Sequence, residues 1–139
     1  VVGLDRLDEV LGRADVIVLT VPATPETERW FGAERFAAMR PGAVFCNVSR
    51  GSMVDDAALL GALRTGHLRA AVLDVTRREP LPADDPLWVE PNVFLSPHSS
   101  TSTDRYPQRL LPLFADNVAR LLDGRPLRNR IDPELGYRV

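Results

Sequence analysis

A chain of 139 residues, 45% hydrophobic and 26% charged, has the composition of an ordinary globular protein and room for one moderate core, which excludes a second full domain. A formal net charge of −2 leaves no basic footprint for nucleic acid, and no apolar run approaches the ~18 to 20 residues of a membrane span. The single cysteine, Cys46, lies inside an apolar run, which excludes a disulfide framework and a cysteine-based metal site and fits a reducing, cytoplasmic setting.

The chain opens on Val1-Val2-Gly3, an apolar stub without a helix start signal, as expected of a strand cut midway. Residues 7–11 carry a short helical pattern. Residues 15–21 (DVIVLTV) form a nearly continuous, β-branched apolar run, the signature of a strand buried on both faces of a parallel sheet, and Pro22 ends it. A helical pattern over 33–39 leads to a second run at 43–48 (AVFCNV). A helix over 55–65 follows, with Asp55 or Asp56 as its cap, Leu59, Leu60 and Leu63 on one face and Gly66 as its stop. Two more runs, 70–75 (AAVLDV) and 93–96 (VFLS), complete four predicted strands.

A long amphipathic helix is predicted over 102–123, with Leu110, Leu113, Phe114, Val118, Leu121 and Leu122 as its apolar stripe and Gly124 as its stop. Pro107 suits a first turn, whereas Pro112 should kink or delay the helix. The Pro- and Arg-rich residues 125–139 read as an extended tail. Strands alternating with helices predict an α/β fold with a parallel sheet and right-handed crossovers.

In such sheets ligands bind outside the carboxyl ends of the strands. The polar residues that directly follow each apolar run are therefore the candidates: 22–27, 47–51, 74–82 and 96–98. Arg50, Glu79 and His98 come from three successive strand ends and form a plausible set for reducing a 2-oxo acid. An arginine holds a carboxylate in a bidentate fork. A histidine delivers a proton near neutral pH, and a carboxylate beside it favours the imidazolium and fixes the ring. Singly, each has a plainer reading: Arg50 as a surface residue and Glu79 as part of the solvated Arg77-Arg78-Glu79 run. Asp74, closing a buried strand, is a turn cap or a ligand contact. His67 suits a helix carboxyl terminus, and Cys46, Trp30 and Trp88 read as packing.

At these places the spelling resembles the D-isomer-specific 2-hydroxyacid dehydrogenases. The matching pieces are Val21-Pro22-Ala23-Thr24-Pro25-Glu26-Thr27, Asn47-Val48-Ser49-Arg50-Gly51, Leu73-Asp74-Val75 with Glu79-Pro80-Leu81-Pro82, Pro86-Leu87-Trp88, Ser96-Pro97-His98, and Asn117 in the last helix. They stand in order over nearly the whole chain. The resemblance implies a partial Rossmann-type doubly wound sheet and NAD or NADP as cofactor. It makes Arg50 the substrate-orienting arginine, Glu79 the acid paired with the histidine, and His98 the general acid/base. It also implies that Val21, Pro22 and Thr27 lie in the loop on the adenosine side, that Val48, Ser49 and Arg50 contact the cofactor, that Asp74 lies near the carboxamide, and that His98, Ser99 and Ser100 flank the nicotinamide.

Glu79-Pro80-Leu81-Pro82 and the ending Pro133-Glu134-Leu135-Gly136-Tyr137 resemble the glyoxylate and hydroxypyruvate reductase branch, so the implied substrate is a small 2-oxo acid. The polar stretch Ser99-Ser100-Thr101-Ser102 departs from the family, in which small residues including Gly or Ala are common there. No G-x-G-x-x-G occurs in the 139 residues. The resemblance therefore divides the chain into residues 1–124, the carboxyl-terminal part of a dinucleotide-binding domain without its glycine-rich βαβ unit, and a tail, 125–139, that returns to a substrate domain not encoded here. It implies a homodimer for the full-length protein and an isolated chain with little turnover. The alternative is a non-catalytic dinucleotide-sensing or interaction module of the same fold, and an unrelated small α/β protein would explain the strands but not the motifs.

Overall fold

A computed structural model describes residues 1–134 and Tyr137. Two compact units divide the chain, Val1–His98 and Ser99–Val139. The first unit holds a four-stranded parallel sheet of β1 (Val16–Leu19), β2 (Ala43–Asn47), β3 (Leu68–Leu73) and β4 (Val93–Leu95), in the order β1-β2-β3-β4. Between the strands run α1 (Leu7–Leu11), α2 (Ala33–Ala38) and α3 (Asp56–Arg64). The α/β class with parallel pairing is as the alternating pattern predicts.

Local chemistry explains the boundaries. Asp55 caps α3 by accepting the Ala58 amide at 3.1 Å, and Gly66 takes the left-handed conformation past its end (φ 73°). Strand β3 begins two residues before the predicted start, because Leu68 is buried in the core while Arg69 points to solvent. A charged residue at a strand start does not interrupt pairing when its side chain faces water.

One face of the sheet carries the core. Phe45, Ala71 and Leu73 are buried there against Phe36 and Met39 of the α2 region and Leu59, Leu60 and Leu63 of α3. At its centre Phe31, Phe36 and Phe45 meet in tilted and edge-on pairs, with centroids 5.0 to 5.8 Å apart. The other face differs from the expectation for the first run. Val16 and Val18 are about half exposed, and the row Val18, Cys46, Val72 and Phe94 crosses all four strands by register. A continuous apolar run signals burial on both faces, but α1, α2 and α3 contribute their buried residues to one.

In the second unit α4 runs over Tyr106–Leu122, four residues later than predicted at its start. Pro107 sits in the first turn, and Pro112 lies inside the helix rather than delaying it. Leu110, Phe114, Val118, Leu121 and Leu122 of the predicted stripe are exposed. The Asn117 amide clamps the tail, accepting the Arg128 N–H at 2.8 Å and donating to its carbonyl at 3.2 Å. The Pro133–Tyr137 motif includes Leu135 and Gly136, which lie outside the described residues.

Phe45 is fully buried at the aromatic centre, so Phe45→Ala should lower the stability of the chain by about 3 to 5 kcal/mol, read as a drop in urea midpoint with unchanged slope.

Candidate functional site

The loops that leave the carboxyl ends of β1, β2 and β3 are joined by a layer of buried polar groups. Asn47, the last residue of β2, is fully buried, so its amide must find partners. The side-chain oxygen accepts the Ser49 N–H at 3.0 Å and the side-chain nitrogen donates to the Arg50 carbonyl at 2.9 Å. Its own carbonyl accepts the Asp74 N–H at 3.0 Å. One residue thus fixes the turn that bears Arg50 with its side chain and, with its backbone carbonyl, seats it on the end of β3. Ser49, itself buried, donates its hydroxyl to the Val21 carbonyl at the end of β1.

Gly51 holds the Arg50 turn against the next loop. A Cβ there would come within 2.0 to 2.1 Å of the carbonyl group of Thr76 and 2.4 Å of the Arg77 nitrogen, so backbone packs on backbone where only glycine fits. Thr76 then turns the chain: its N–H donates to Glu79 Oε1 at 3.0 Å and its hydroxyl to the Arg78 carbonyl at 2.8 Å. The second Glu79 oxygen accepts from His98 Nδ1 at 2.8 Å.

His98 follows β4 through Ser96-Pro97 and adopts φ 52°, a region few non-glycine residues enter. Its N–H donates to the Ser96 carbonyl at 3.0 Å, closing a tight turn that leaves the ring beside Glu79. The contact with His98 holds the Glu79 carboxyl below its usual range, helped by the Thr76 amide and the charge of Arg50, against partial burial. Arg50 is exposed, its guanidinium donating to the Ser49 carbonyl at 2.7 Å. The predicted trio therefore gathers at one end of the sheet: Glu79 and His98 in contact, with Arg50 near enough for its charge to act on Glu79.

The other predicted residues fall into three groups. Asp74 is buried and accepts the Ser96 hydroxyl at 2.5 Å. Val21, Val48 and Ser49 line the joined strand ends, with the Val21 carbonyl committed to Ser49. Pro22 and Thr27 frame the loop after β1, where the Thr27 hydroxyl accepts the Thr24 N–H at 2.7 Å and donates to the Pro22 and Thr24 carbonyls, each at 3.1 Å. This hydroxyl serves the loop. Ser99 and Ser100 open the second unit, where Ser99 accepts the Ser102 N–H at 2.8 Å.

A cavity of about 520 Å³ borders the pair, walled by Pro80, Leu81, Trp88, Leu95 and Pro97, with Asp74, Thr76, Glu79, Ser96 and His98 as its polar groups. This size and mostly apolar lining suit a small organic ligand. Trp88 corrects the packing reading: it is 54% exposed, held by an indole N–H donated to the Pro82 carbonyl at 2.8 Å, with its ring on the cavity. Sequence reasoning also left Asn47, Gly51 and Ser96 without roles. A polar Asn closing the apolar run AVFCN was the available signal for the first; Gly51 and Ser96 fall in the nominated stretches 47–51 and 96–98, but nothing local shows what each does.

Residues 1–100 match the family model described as the D-isomer specific 2-hydroxyacid dehydrogenase, NAD binding domain. The chain belongs to this family. It is 42% identical over 129 residues to a glyoxylate/hydroxypyruvate reductase B from Escherichia fergusonii, covering 93% of this chain and 40% of that protein. The chain thus spans about 40% of the length of the curated relatives it matches. A D-isomer specific 2-hydroxyacid dehydrogenase from Xanthobacter autotrophicus, solved with NADPH and MES, superposes at TM-score 0.88 and 43% identity, over 97% of this chain and 55% of that one. An NADPH-dependent glyoxylate/hydroxypyruvate reductase from Sinorhizobium meliloti, solved with NADP and sulfate, gives 0.87 and 36%, over 96% and 43%.

Because the Glu79 carboxyl is held below its ordinary value, its contribution to the pair is present above the unfolded carboxylate range and is lost as pH falls through the lowered value. A carbon-detected NMR titration should place the Glu79 carboxyl midpoint below 4.5; a midpoint at or above it would count against the contact. Gly51→Ala should destabilise the chain by roughly 1 to 3 kcal/mol and raise that midpoint, as the two loops are forced apart.

Proposed function

We propose that this chain supplies the acid/base half of an NAD(P)-dependent oxidoreductase that reduces 2-oxo acids of the glyoxylate and hydroxypyruvate type to D-2-hydroxy acids. The observation that carries this is the 2.8 Å contact between His98 Nδ1 and Glu79 Oε2, with the charge of Arg50 beside it, at the carboxyl ends of successive strands. With Nδ1 donating to the carboxylate, Nε2 is the nitrogen left to face a substrate. His98 gives its proton to the carbonyl oxygen, Glu79 orients the ring and stabilises its charge, and Arg50 holds the substrate carboxylate and polarises the carbonyl.

The residues present fit the nicotinamide end of the cofactor. A buried carboxylate, Asp74, borders an apolar-walled cavity beside His98, which suits a flat ring bearing an amide. Asp74 and His98 would hold that end, and Val21, Pro22, Thr27, Val48, Ser49 and Arg50 the remainder. When bound, the nicotinamide supplies hydride transfer to the substrate carbon.

The relatives named as glyoxylate/hydroxypyruvate reductases support the substrate class. Residues 1–124 then belong to the dinucleotide-binding domain, and 125–139 lead toward a substrate domain. We place the intact enzyme in the cytoplasm, a reducing setting that its lone Cys46 fits, and as a homodimer, as the family resemblance implies.

In the intact enzyme, His98→Ala should lower kcat for glyoxylate or hydroxypyruvate by about 10² to 10⁴-fold, and Arg50→Lys should raise KM because an ammonium cannot reproduce the bidentate fork. NADPH and NADH oxidation rates check both. A His98→Ala enzyme as fast as its parent would sink the mechanism, and a parent inert with a panel of 2-oxo acids would favour a dinucleotide-sensing role. The 139-residue chain alone should show little or no turnover; rapid oxidation by it would refute the division of labour proposed.

A further inference from the structure

Arg77 stands in a charged run that reads, from the sequence, as solvated surface. Its side chain is committed in three directions. Nη1 donates to the Ser52 carbonyl at 3.2 Å and to the Val54 carbonyl at 3.4 Å, and Nη2 lies 2.6 Å from Glu28 Oε1. Ser52 and Val54 belong to the turn that follows Arg50; Glu28 belongs to the loop after β1; Arg77 itself follows β3, two residues before Glu79. The guanidinium therefore binds to one another the loops leaving three adjacent strands.

We propose that Arg77 is a positioning residue that sets Arg50 relative to Glu79 and His98. The inference rests on the reductase reading for its catalytic consequence, while the strap itself is a matter of geometry. The backbone already brings the two loops into contact, since Gly51 has no room for a Cβ against Thr76 and Arg77. That contact sets a minimum distance and supplies only dispersion attraction. Arg77 adds polar bonds from the same residue, reaching past Gly51 to the carbonyls one and three positions further on.

An exposed ion pair by itself contributes little, and the Arg77 side chain is 36% exposed and that of Glu28 46%. The two carbonyl bonds distinguish this arginine from an ordinary surface pair. They end on a turn whose neighbouring Met53 and Val54 side chains are buried. The Ser52 carbonyl also accepts the Arg29 N–H at 2.9 Å, and the Met53 carbonyl accepts the Phe31 N–H at 2.9 Å. The turn is thereby tied to the core as well as to the strap. A planar guanidinium can serve carbonyls and a carboxylate together from one fixed fork, whereas an ammonium cannot hold that spread of acceptors.

The test has two arms, with Arg77→Gln and Arg77→Lys compared against Arg78→Gln. In the 139-residue chain, both Arg77 variants should speed amide exchange at Arg29 and Val54 by roughly fivefold or more, leaving the amides of β2 and β3 unchanged. In the intact reductase, Arg77→Gln should lower kcat/KM for glyoxylate roughly tenfold, with KM moving more than kcat. Arg77→Lys should recover only part of that loss, and Arg78→Gln should match the parent in both arms. Unchanged exchange in both Arg77 variants would overturn the strap. Faster exchange with unaltered kcat/KM would overturn the positioning role, and full recovery by lysine would overturn the fork. A parent enzyme without turnover would instead overturn the reductase reading, leaving exchange to decide the strap by itself.

Discussion

The site depends on the buried side chain of Asn47. A fully buried amide at the end of an apolar strand costs free energy unless each polar atom is bonded, and here the turn through Ser49 to Arg50 satisfies it by returning an N–H and a carbonyl to the same side chain. The path determines where Arg50 emerges. Because the Asn47 carbonyl also accepts the Asp74 amide, the Arg50 turn and the start of the loop to Glu79 leave the sheet from a common point. Ser49, with its hydroxyl on the Val21 carbonyl, extends the constraint to β1. The strand ends are joined by side chains whose burial compels the bonds they make.

Above this layer the electrostatics are mild. The Glu79–His98 pair is held between groups that are 40% and 44% exposed, so neither carries the full desolvation cost of a buried ion pair. A pair of this kind fits proton delivery: it is ordered by a short contact and remains accessible to a substrate at the cavity. Asp74 differs. It is a buried carboxylate whose charge adds to burial in raising the Cys46 thiol, burial being the larger cause, and its partnership with Ser96 ties the end of β3 to the residue two before His98. The histidine is thus bracketed by two carboxylates with separate duties, one bonded to its ring and one bonded to its turn.

Much of this was legible in residue order. Four apolar runs gave the four strands because a parallel sheet with a well-packed face selects apolar residues over short runs, here three to six positions, and residues just beyond each run were nominated because strand ends are where backbone and side-chain polarity is free to face a ligand. What stayed hidden was long-range. Gly51 matters through the backbone of Thr76, some two dozen residues away, and Arg77 through carbonyls at a similar distance. Neither contact leaves a local pattern. Trp88 reads as core by composition, yet its single indole N–H finds a carbonyl within its own turn, which frees the ring to wall the cavity. Pro112 reads as a kink or a delay, yet the 17-residue helix runs through it, losing one internal N–H there.

Val18, Val72 and Phe94 are exposed and Cys46 is half-buried in the row that crosses the second face of the sheet. These side chains alternate with the buried set along each strand, so the same runs that build the core necessarily present a second apolar face. A sheet with both faces apolar is a middle layer, and a middle layer is selected only where another layer closes over it. The helices α1, α2 and α3 satisfy one side. The strand pattern therefore carries two apolar faces, of which the helices of residues 1–98 cover one.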